Sequence, residues 1–296
     1  MKLSVCVSTY NQEKYIRDCL ASIDMQEIGI PFEIIVGVDK SSDKTIDIVS
    51  DFAKTAKNSI KIITSDTQVG ASNNYLRIHQ IANSEYVCHI DGDDLMLPGK
   101  LQKQVFILDN NSHLSAVWHD MVLFSDSGEI LNPNYASVWD GEITLSDFLR
   151  VGFVSAHSSI MYRRKCRSHY NYDYPVPDYA IFLDLLAHGN GYVIRQSLGK
   201  YRHNVDAGVI STGFKTFKSN LYRALHEFSL TKNKDNYSKK DIFCFSFLNL
   251  LSDIKSRRGV DKTLILLLAK NISIVSPLVL IDSYKKMMLA GVKKKV

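Results

Sequence analysis

The sequence predicts an α/β protein: a mostly parallel central sheet flanked by helices, with a helical extension behind it. Three observations predict this. Short β-rich runs alternate with helical stretches of about 10–15 residues, which is the pattern of βαβ units. Apolar residues inside the longer stretches recur at helical spacing. From Phe214 onward the pattern is helical almost throughout.

Taken in order, Leu3 to Val7 is an apolar strand, and Asn11 to Met25 carries Tyr15, Ile16, Cys19, Leu20 and Ile23 at helical spacing. Phe32 to Val38 is a second strand. Asp43 to Ala56 repeats Ile46, Ile48, Val49, Phe52 and Ala53 as an amphipathic helix. Ile60 to Thr64 is a third strand, Ser72 to Ala82 a helix and Tyr86 to Ile90 a fourth strand. After Pro98 the pattern loosens. Lys100 to Leu108 reads as a helix, Ala116 to Phe124 and Ser158 to Tyr162 as strands, and Asp178 to His188 as a helix closed by Gly189.

Composition narrows the function. The chain has 296 residues, 45% of them hydrophobic and 23% charged, with six prolines and fifteen glycines, which excludes collagenous and disordered classes. The five cysteines, at 6, 19, 88, 166 and 244, are odd in number and form no C-x-x-C pair. That excludes a disulfide framework or zinc ribbon and predicts reduced thiols in a cytoplasmic protein. The run from Leu3 to Val7 is too short for a secretory signal. Charge is unevenly divided: residues 1–211 hold 19 Lys/Arg against 25 Asp/Glu, and residues 212–296 hold 17 against 6. Two regions with two jobs follow, 1–211 and 212–296, and the acidic front argues against nucleic acid as a substrate.

Polar groups concentrate at three strand ends, where open parallel sheets bind their ligands. These are Ser8-Thr9-Tyr10-Asn11, Asp39-Lys40-Ser41-Ser42-Asp43 and Asp91-Gly92-Asp93-Asp94. No glycine lies in the first, so a G-x-G-x-x-G dinucleotide site is excluded there, and no G-x-x-x-x-G-K-[ST] phosphate loop occurs. The cluster at 91–94 places three acids in four positions, a repulsive arrangement that a cation relieves. Hard oxygen ligands of this kind suit Mg²⁺ or Mn²⁺, which bind one or two carboxylates together with substrate phosphates. A solvated acidic turn before Pro98 is the alternative reading of these four residues.

Four segments in this order and spacing, SVCVSTYN, EIIVGVDKSSDKT, GASNNYLR and YVCHIDGDDLMLPGKLQKQ, resemble family 2 glycosyltransferases of the GT-A fold. The resemblance covers about residues 1–210 and is nearest to the bacterial subgroup that assembles surface polysaccharides. It implies a UDP-sugar donor, a divalent cation (Mn²⁺ or Mg²⁺) and a glycan or lipid-linked glycan acceptor. Thr9 and Tyr10 would wall a uracil pocket beside Asn11, and Asp39 would accept a hydrogen bond from uracil N3–H. Gly70, Asn74 and Arg77 match the segment in which an Asn and an Arg follow a glycine. Arg77 would steady the diphosphate or Asp91, or else make a surface ion pair. Asp91 and Gly92 would meet the ribose and phosphate, with Asp93 as the direct metal ligand and Asp91 ordering the cation.

For an inverting transfer the family places a catalytic base at the start of a late helix, and Asp178 matches. Pro177 stands where relatives carry a second acid. A helix N-terminus stabilises the anion a base must be, and the same position equally suits a structural helix-start acid. Asp184, six residues on, reads as structural. Tyr201-Arg202-His203 with Ser211 resembles the family's closing segment, where His203 is either a third metal ligand, a diphosphate contact or a structural residue. The Trp118-His119-Asp120 and His157-Ser158-Ser159 stretches resemble acceptor-side segments, in which His119 or His157 would border the donor sugar; the sequence gives neither a definite role.

Thr263 to Ile281 is close to bilayer-spanning length, but Lys270, Asn271 and Pro277 interrupt it. A helix pair hinged near Asn271 is expected instead. Lys255, Arg257, Arg258 and Lys262 precede it, and Lys285, Lys286, Lys293, Lys294 and Lys295 follow. Apolar surface between cation clusters suits peripheral contact with the anionic cytoplasmic leaflet; packing on the catalytic domain or forming a homodimer would use the same surface.

Overall fold

The computed structural model describes every residue except 136–137, 168–170, 204–208, 231–238, 258 and 294–296, and the side chains of 209–215 and 290–293 also fall outside the described set. Arg258, Lys294, Lys295 and the side chains of Ser211 and Lys293 therefore lie outside it.

The first half is built from β1 (Leu3–Thr9), α1 (Ile16–Asp24), β2 (Phe32–Val38), α2 (Thr45–Ala53), β3 (Ser59–Ile63), α3 (Ala71–Ile81) and β4 (Tyr86–Asp91). Helix α1 starts five residues later than its periodicity predicts. Asn11 adopts a left-handed φ of 50°, and the Gln12 carbonyl accepts from the N–H groups of Tyr15 and Ile16 at 3.0 Å, so the chain turns before it coils. Next come β5 (Leu95–Met96), α4 (Lys100–Asn110), β6 (Leu114–Phe124), β7 (Ile130–Asn132), β8 (Gly141–Ile143), α5 (Leu145–Val151), β9 (Met161–Arg163), α6 (Asp178–Leu186) and β10 (Asn190–Arg202).

One mixed sheet runs in the order β3-β2-β1-β4-β9-β6-β10-β5, with β7 on β6 and β8 on β10. Strands β3, β2, β1 and β4 are parallel, and Ser8 is level with both Gly37 and Asp91. Their carboxyl ends therefore open on one edge, where all three predicted polar clusters sit. Strand β9 is antiparallel to β4 and β6, and β10 is parallel to β6. Side chains of β1 alternate between two cores. Leu3, Val5 and Val7 join Ile16, Leu20, Ile34 and Leu101 on one face, and Cys6 joins Tyr75, Ile78, Trp118, Phe148 and Phe182 on the other. All five cysteines are free and buried.

Two features depart from the sequence reading. Ser158 to Tyr162 is not a single strand. His157–Ser159 forms one 3-10 turn, because the Ser159 amide donates to the Ala156 carbonyl at 3.0 Å. Strand β10, thirteen residues long, carries no clean alternation because its pairing with β6 shifts register three times. It also uses glycine against large neighbours: a Cβ on Gly191 would lie 2.6 Å from the Trp118 ring.

The C-terminal region forms α7 (Val209–Leu230), α8 (Lys239–Lys255), α9 (Lys262–Lys270) and α10 (Pro277–Lys293). Tyr222, Leu225, Ile242, Phe245, Leu264 and Leu267 enter the same core as Phe148 and Phe182, and Arg150 of α5 binds buried Asp241 of α8 at 2.6 Å. The hinge falls where predicted, since Asn271 ends α9 and Pro277 begins α10. Among the described residues no helix is long and apolar enough to cross a membrane.

Candidate active site

The ends of β1 and β2 are laced together. The Asp39 amide donates to the Thr9 carbonyl at 3.0 Å, the Ser42 amide to Asn11 Oδ1 at 2.8 Å and the Gln12 amide to Thr45 Oγ1 at 2.8 Å. Thr9 is buried, and its hydroxyl donates to Gln12 Oε1 at 2.8 Å. Tyr10 stays 42% exposed, so the tyrosine, not the threonine, faces the opening. Gly92 packs over Thr9: a Cβ there would lie 2.8 Å from Thr9 Cβ and 2.6 Å from Gln12 Oε1. The lack of a side chain at Gly92 thus serves close packing of the β1 and β4 ends.

Asp39 is buried and accepts from the amides of Lys40, Val69 and Gly70, each at 2.8 Å. It fastens the loop that starts α3, whose N-cap is Gly70 at φ 83°. Two carboxylate oxygens offer about four acceptor positions, so three amides leave room for a further donor. From α3, buried Asn74 donates to the Gly37 carbonyl at 2.8 Å and to Ser8 Oγ at 3.0 Å. Arg77 reaches the carbonyls of Thr64 and Val38 at 3.0 Å and Asn74 Oδ1 at 2.9 Å. Its guanidinium closes off the β2 and β3 ends, in place of the surface ion pair or the Asp91 contact expected of it.

At the end of β4 the acids part company. The Asp91 side chain is 41% exposed, yet the protein packed around it raises its carboxyl; nearby His157 opposes this and the Asp178 charge adds to it. Its amide accepts support from Ser158 by donating to Oγ at 3.0 Å. Asp94 is buried: Oδ1 accepts from the Arg202 amide at 2.9 Å, while Oδ2 has no hydrogen-bond partner among the described residues. Burial first, then Asp93 and Asp91, push its carboxyl well above the usual range. Arg202, from β10, donates from Nε to the Asp93 carbonyl at 3.0 Å and from Nη1 to Asp126 at 3.1 Å. It also lies over the Tyr15 ring at 4.3 Å.

His203 uses its amide on the Phe124 carbonyl at 2.8 Å. Among the described residues no three His, Cys, Asp or Glu side chains gather to hold a metal, so Asp91, Asp93 and His203 do not form the three-ligand group their motifs suggest. Crowded carboxylates with an unpartnered buried oxygen still fit a divalent cation whose coordination phosphates complete.

Helix α6 brings Asp178 near enough for its charge to act on Asp91. Asp178 Oδ1 lies 3.3 Å from His157 Nδ1. His157 stands among His89, at 4.3 Å between ring centroids, and Tyr75, at 4.8 Å. A hydrogen-bonded chain runs beneath: Tyr162 Oη to His79 Nδ1 at 2.7 Å, His79 Nε2 to His89 Nδ1 at 3.0 Å, and His89 Nε2 to Asp91 Oδ1 at 3.2 Å. An ionised carboxylate at one end fixes every proton in it, since each imidazole then donates toward Asp91 and accepts from behind. Burial lowers all three histidines, His89 to about 3 and His157 to about 4. His119, by contrast, is wholly buried in β6. Asp184 pairs with Arg167 at 2.5 Å and is structural.

The sequence model of glycosyl transferase family 2 matches residues 4–169, more than half of the chain. The chain belongs to this family. Its fold is that of GT-A glycosyltransferases: it superposes on Staphylococcus aureus TarS, solved with UDP-GlcNAc, at TM-score 0.67 and 18% identity, covering 100% of this chain and 92% of that one. Among curated relatives, the Mycobacterium tuberculosis protein Rv1520 is 28% identical over 164 residues, 55% of this chain and 47% of its own length. The uncharacterized glycosyltransferase MJ1057 of Methanocaldococcus jannaschii is 25% identical over 205 residues, 68% of this chain and 70% of that protein. The chain thus aligns with about half the length of the mycobacterial relative.

Within this family 2 chain, the sequence reading named Arg202, Ser158 and His157 only as members of family-like segments and gave none of them a definite role. Arg202 stood in the Tyr-Arg-His segment, and only its adjacency to His203 pointed to it. Ser158 and His157 stood in a segment that resembles the acceptor side, and nothing in it pointed to their contacts with Asp91 and Asp178.

Proposed function

We propose that this protein is an inverting glycosyltransferase that moves a sugar from a UDP-sugar donor to a glycan or lipid-linked glycan acceptor in cell-surface polysaccharide synthesis. One observation carries the reading: Asp178, held beside His157, lies near enough to Asp91 for its charge to act there, at the strand-end edge where Tyr10 and Asp39 also stand. An acid on each side of one cleft matches a nucleotide leaving on one side and an acceptor attacking from the other.

In this reading uracil stacks on Tyr10 and its N3–H takes the remaining acceptor position on Asp39. Asp91 meets the ribose, and Asp93 with Asp91 would hold Mg²⁺ or Mn²⁺, which supplies charge stabilisation to the departing diphosphate when bound. Asn74 and Arg77 keep the strand ends in register beneath the nucleotide. Asp178 takes the proton from the acceptor hydroxyl as its oxygen attacks the anomeric carbon and the bond to UDP breaks. The test is transfer from UDP-glucose, UDP-galactose and their N-acetyl forms to a glycan panel. Turnover by the wild type supports the reading, and no turnover alongside tight UDP binding supports a silent nucleotide-sugar-binding module instead.

The C-terminal helices dock their inner faces on the enzyme and leave Ile272, Ile274, Leu278 and Ile281 exposed between lysine clusters. That combination suits peripheral contact with an anionic membrane, which would bring lipid-linked acceptors to the cleft.

A further inference from the structure

We infer that His157 is a positioning residue that aims the Asp178 carboxylate by donating a hydrogen bond from a neutral Nδ1–H, an inference that rests on Asp178 being the base. Asp178 is the first residue of α6, follows Pro177 and keeps a half-exposed side chain. Among the described residues its one side-chain partner is His157, whose Nδ1 lies 3.3 Å from Oδ1. Left alone, such a side chain would sample several rotamers, few of which point at an acceptor.

The donor itself is held rigidly. Its 3-10 turn is pinned from α4: buried Lys100 donates to the Ser158 carbonyl and Gln104 to the Ser159 carbonyl, both at 2.8 Å. Ser159 Oγ closes the turn on the Ala156 carbonyl at 2.6 Å. The imidazole is clamped by Tyr75, His89 and Phe182, with ring centroids at 4.8, 4.3 and 6.0 Å.

The tautomer follows from what surrounds the two nitrogens. Nδ1 faces a carboxylate, which accepts and cannot donate when ionised. Nε2 is buried with no hydrogen-bond partner among the described residues. The bare nitrogen therefore goes inward, where an N–H would be left unsatisfied, and the proton sits on Nδ1. Burial supports a neutral ring by pushing His157 down to about 4, against the pull of Asp178. The same turn sends Ser158 Oγ to Asp91. One rigid turn thus sets the acid on the nucleotide side and the acid on the acceptor side of the cleft.

The test uses the full chain. In protein labelled with ¹³C,¹⁵N-histidine, imidazole nitrogen shifts should report His157 as the neutral Nδ1–H form between pH 6 and 8; an Nε2–H form or an imidazolium would overturn the inference. In kinetics with the best UDP-sugar, His157→Ala should lower kcat about 10- to 100-fold, the scale of a misplaced catalytic group, with donor KM within about twofold. His157→Asn, whose amide nitrogen can occupy the Nδ1 position, should recover kcat to within about threefold of wild type. Equal losses in both variants would make His157 merely structural and overturn the inference. Wild-type kcat in His157→Ala beside an inactive Asp178→Asn would overturn it and leave the base in place, whereas an active Asp178→Asn would remove the base itself.

Discussion

Asp93 and Asp94 show how neighbouring acids divide their work. Asp94 is locked to the Arg202 amide and buried, with a raised carboxyl, so charge in the cleft entrance falls to Asp91 and Asp93. UDP should therefore raise the melting temperature only with Mg²⁺ or Mn²⁺ present, because its phosphates and these carboxylates repel otherwise. Asp93→Ala should lose that metal-dependent part, and equal stabilisation in chelator would remove the metal assignment. His157 gives a pH prediction of definite sign. Its folded value is lowered to about 4 against about 6.5 in an unfolded chain. The unfolded state then binds the extra proton between these values, so this histidine's contribution is full above pH 7 and shrinks as pH falls toward 4. The melting temperature of wild type relative to His157→Asn should be constant above pH 7 and decline below 6.5; a difference independent of pH would contradict the burial. Asp91, Asp93 and Asp178 were legible because an acid cluster and a helix-start acid are local signals. His157 was named only through its segment; its contacts were not legible, since one lies 21 residues along the chain and one across the sheet.

Among the elements, α3 does most to align the edge proposed to take the nucleotide. It approaches β2 so closely that a Cβ on Gly37 would lie 2.6 Å from Ile78 Cγ2 and 2.7 Å from Asn74 Oδ1. Gly37→Ala should cost about 1–3 kcal/mol, the range for overpacking a tight interface, and should weaken UDP binding by displacing Asn74. Urea unfolding checks the first, and an unchanged midpoint would mean that α3 yields freely. The periodicities of α2, α3 and β1 to β4 were readable because each buries one face or both. Strand β10 was not. Its bulges break the alternation, and Gly191 fits only because Trp118, 73 residues away in sequence, fills the space. The 3-10 turn at His157–Ser159 was hidden for a similar reason: its Ser-Ser-Ile run has strand-like neighbours, and the contacts from Lys100 and Gln104 decide its shape.

For the whole molecule, the uneven charge divides the sequence at a boundary that the hydrophobic core does not respect. Residues 212–296 carry all of the basic excess, yet α7, α8 and α9 complete the core that α5 and α6 begin. The membrane proposal is therefore best probed on the outer face alone. The full chain should sediment with anionic vesicles at low salt, and Ile274→Glu with Leu278→Glu, at exposures of 93% and 77%, should release it without lowering the melting temperature. Sedimentation unaffected by that pair would place membrane contact elsewhere. The central claim, that one cleft holds the nucleotide on one side and a base on the other, is tested most directly by Asp178→Asn in the full chain. Transfer should fall by about 10²-fold or more, the scale of a lost general base, while UDP affinity measured by calorimetry with Mn²⁺ stays within about twofold. Wild-type transfer by Asp178→Asn, or loss of UDP binding in step with loss of transfer, would contradict it.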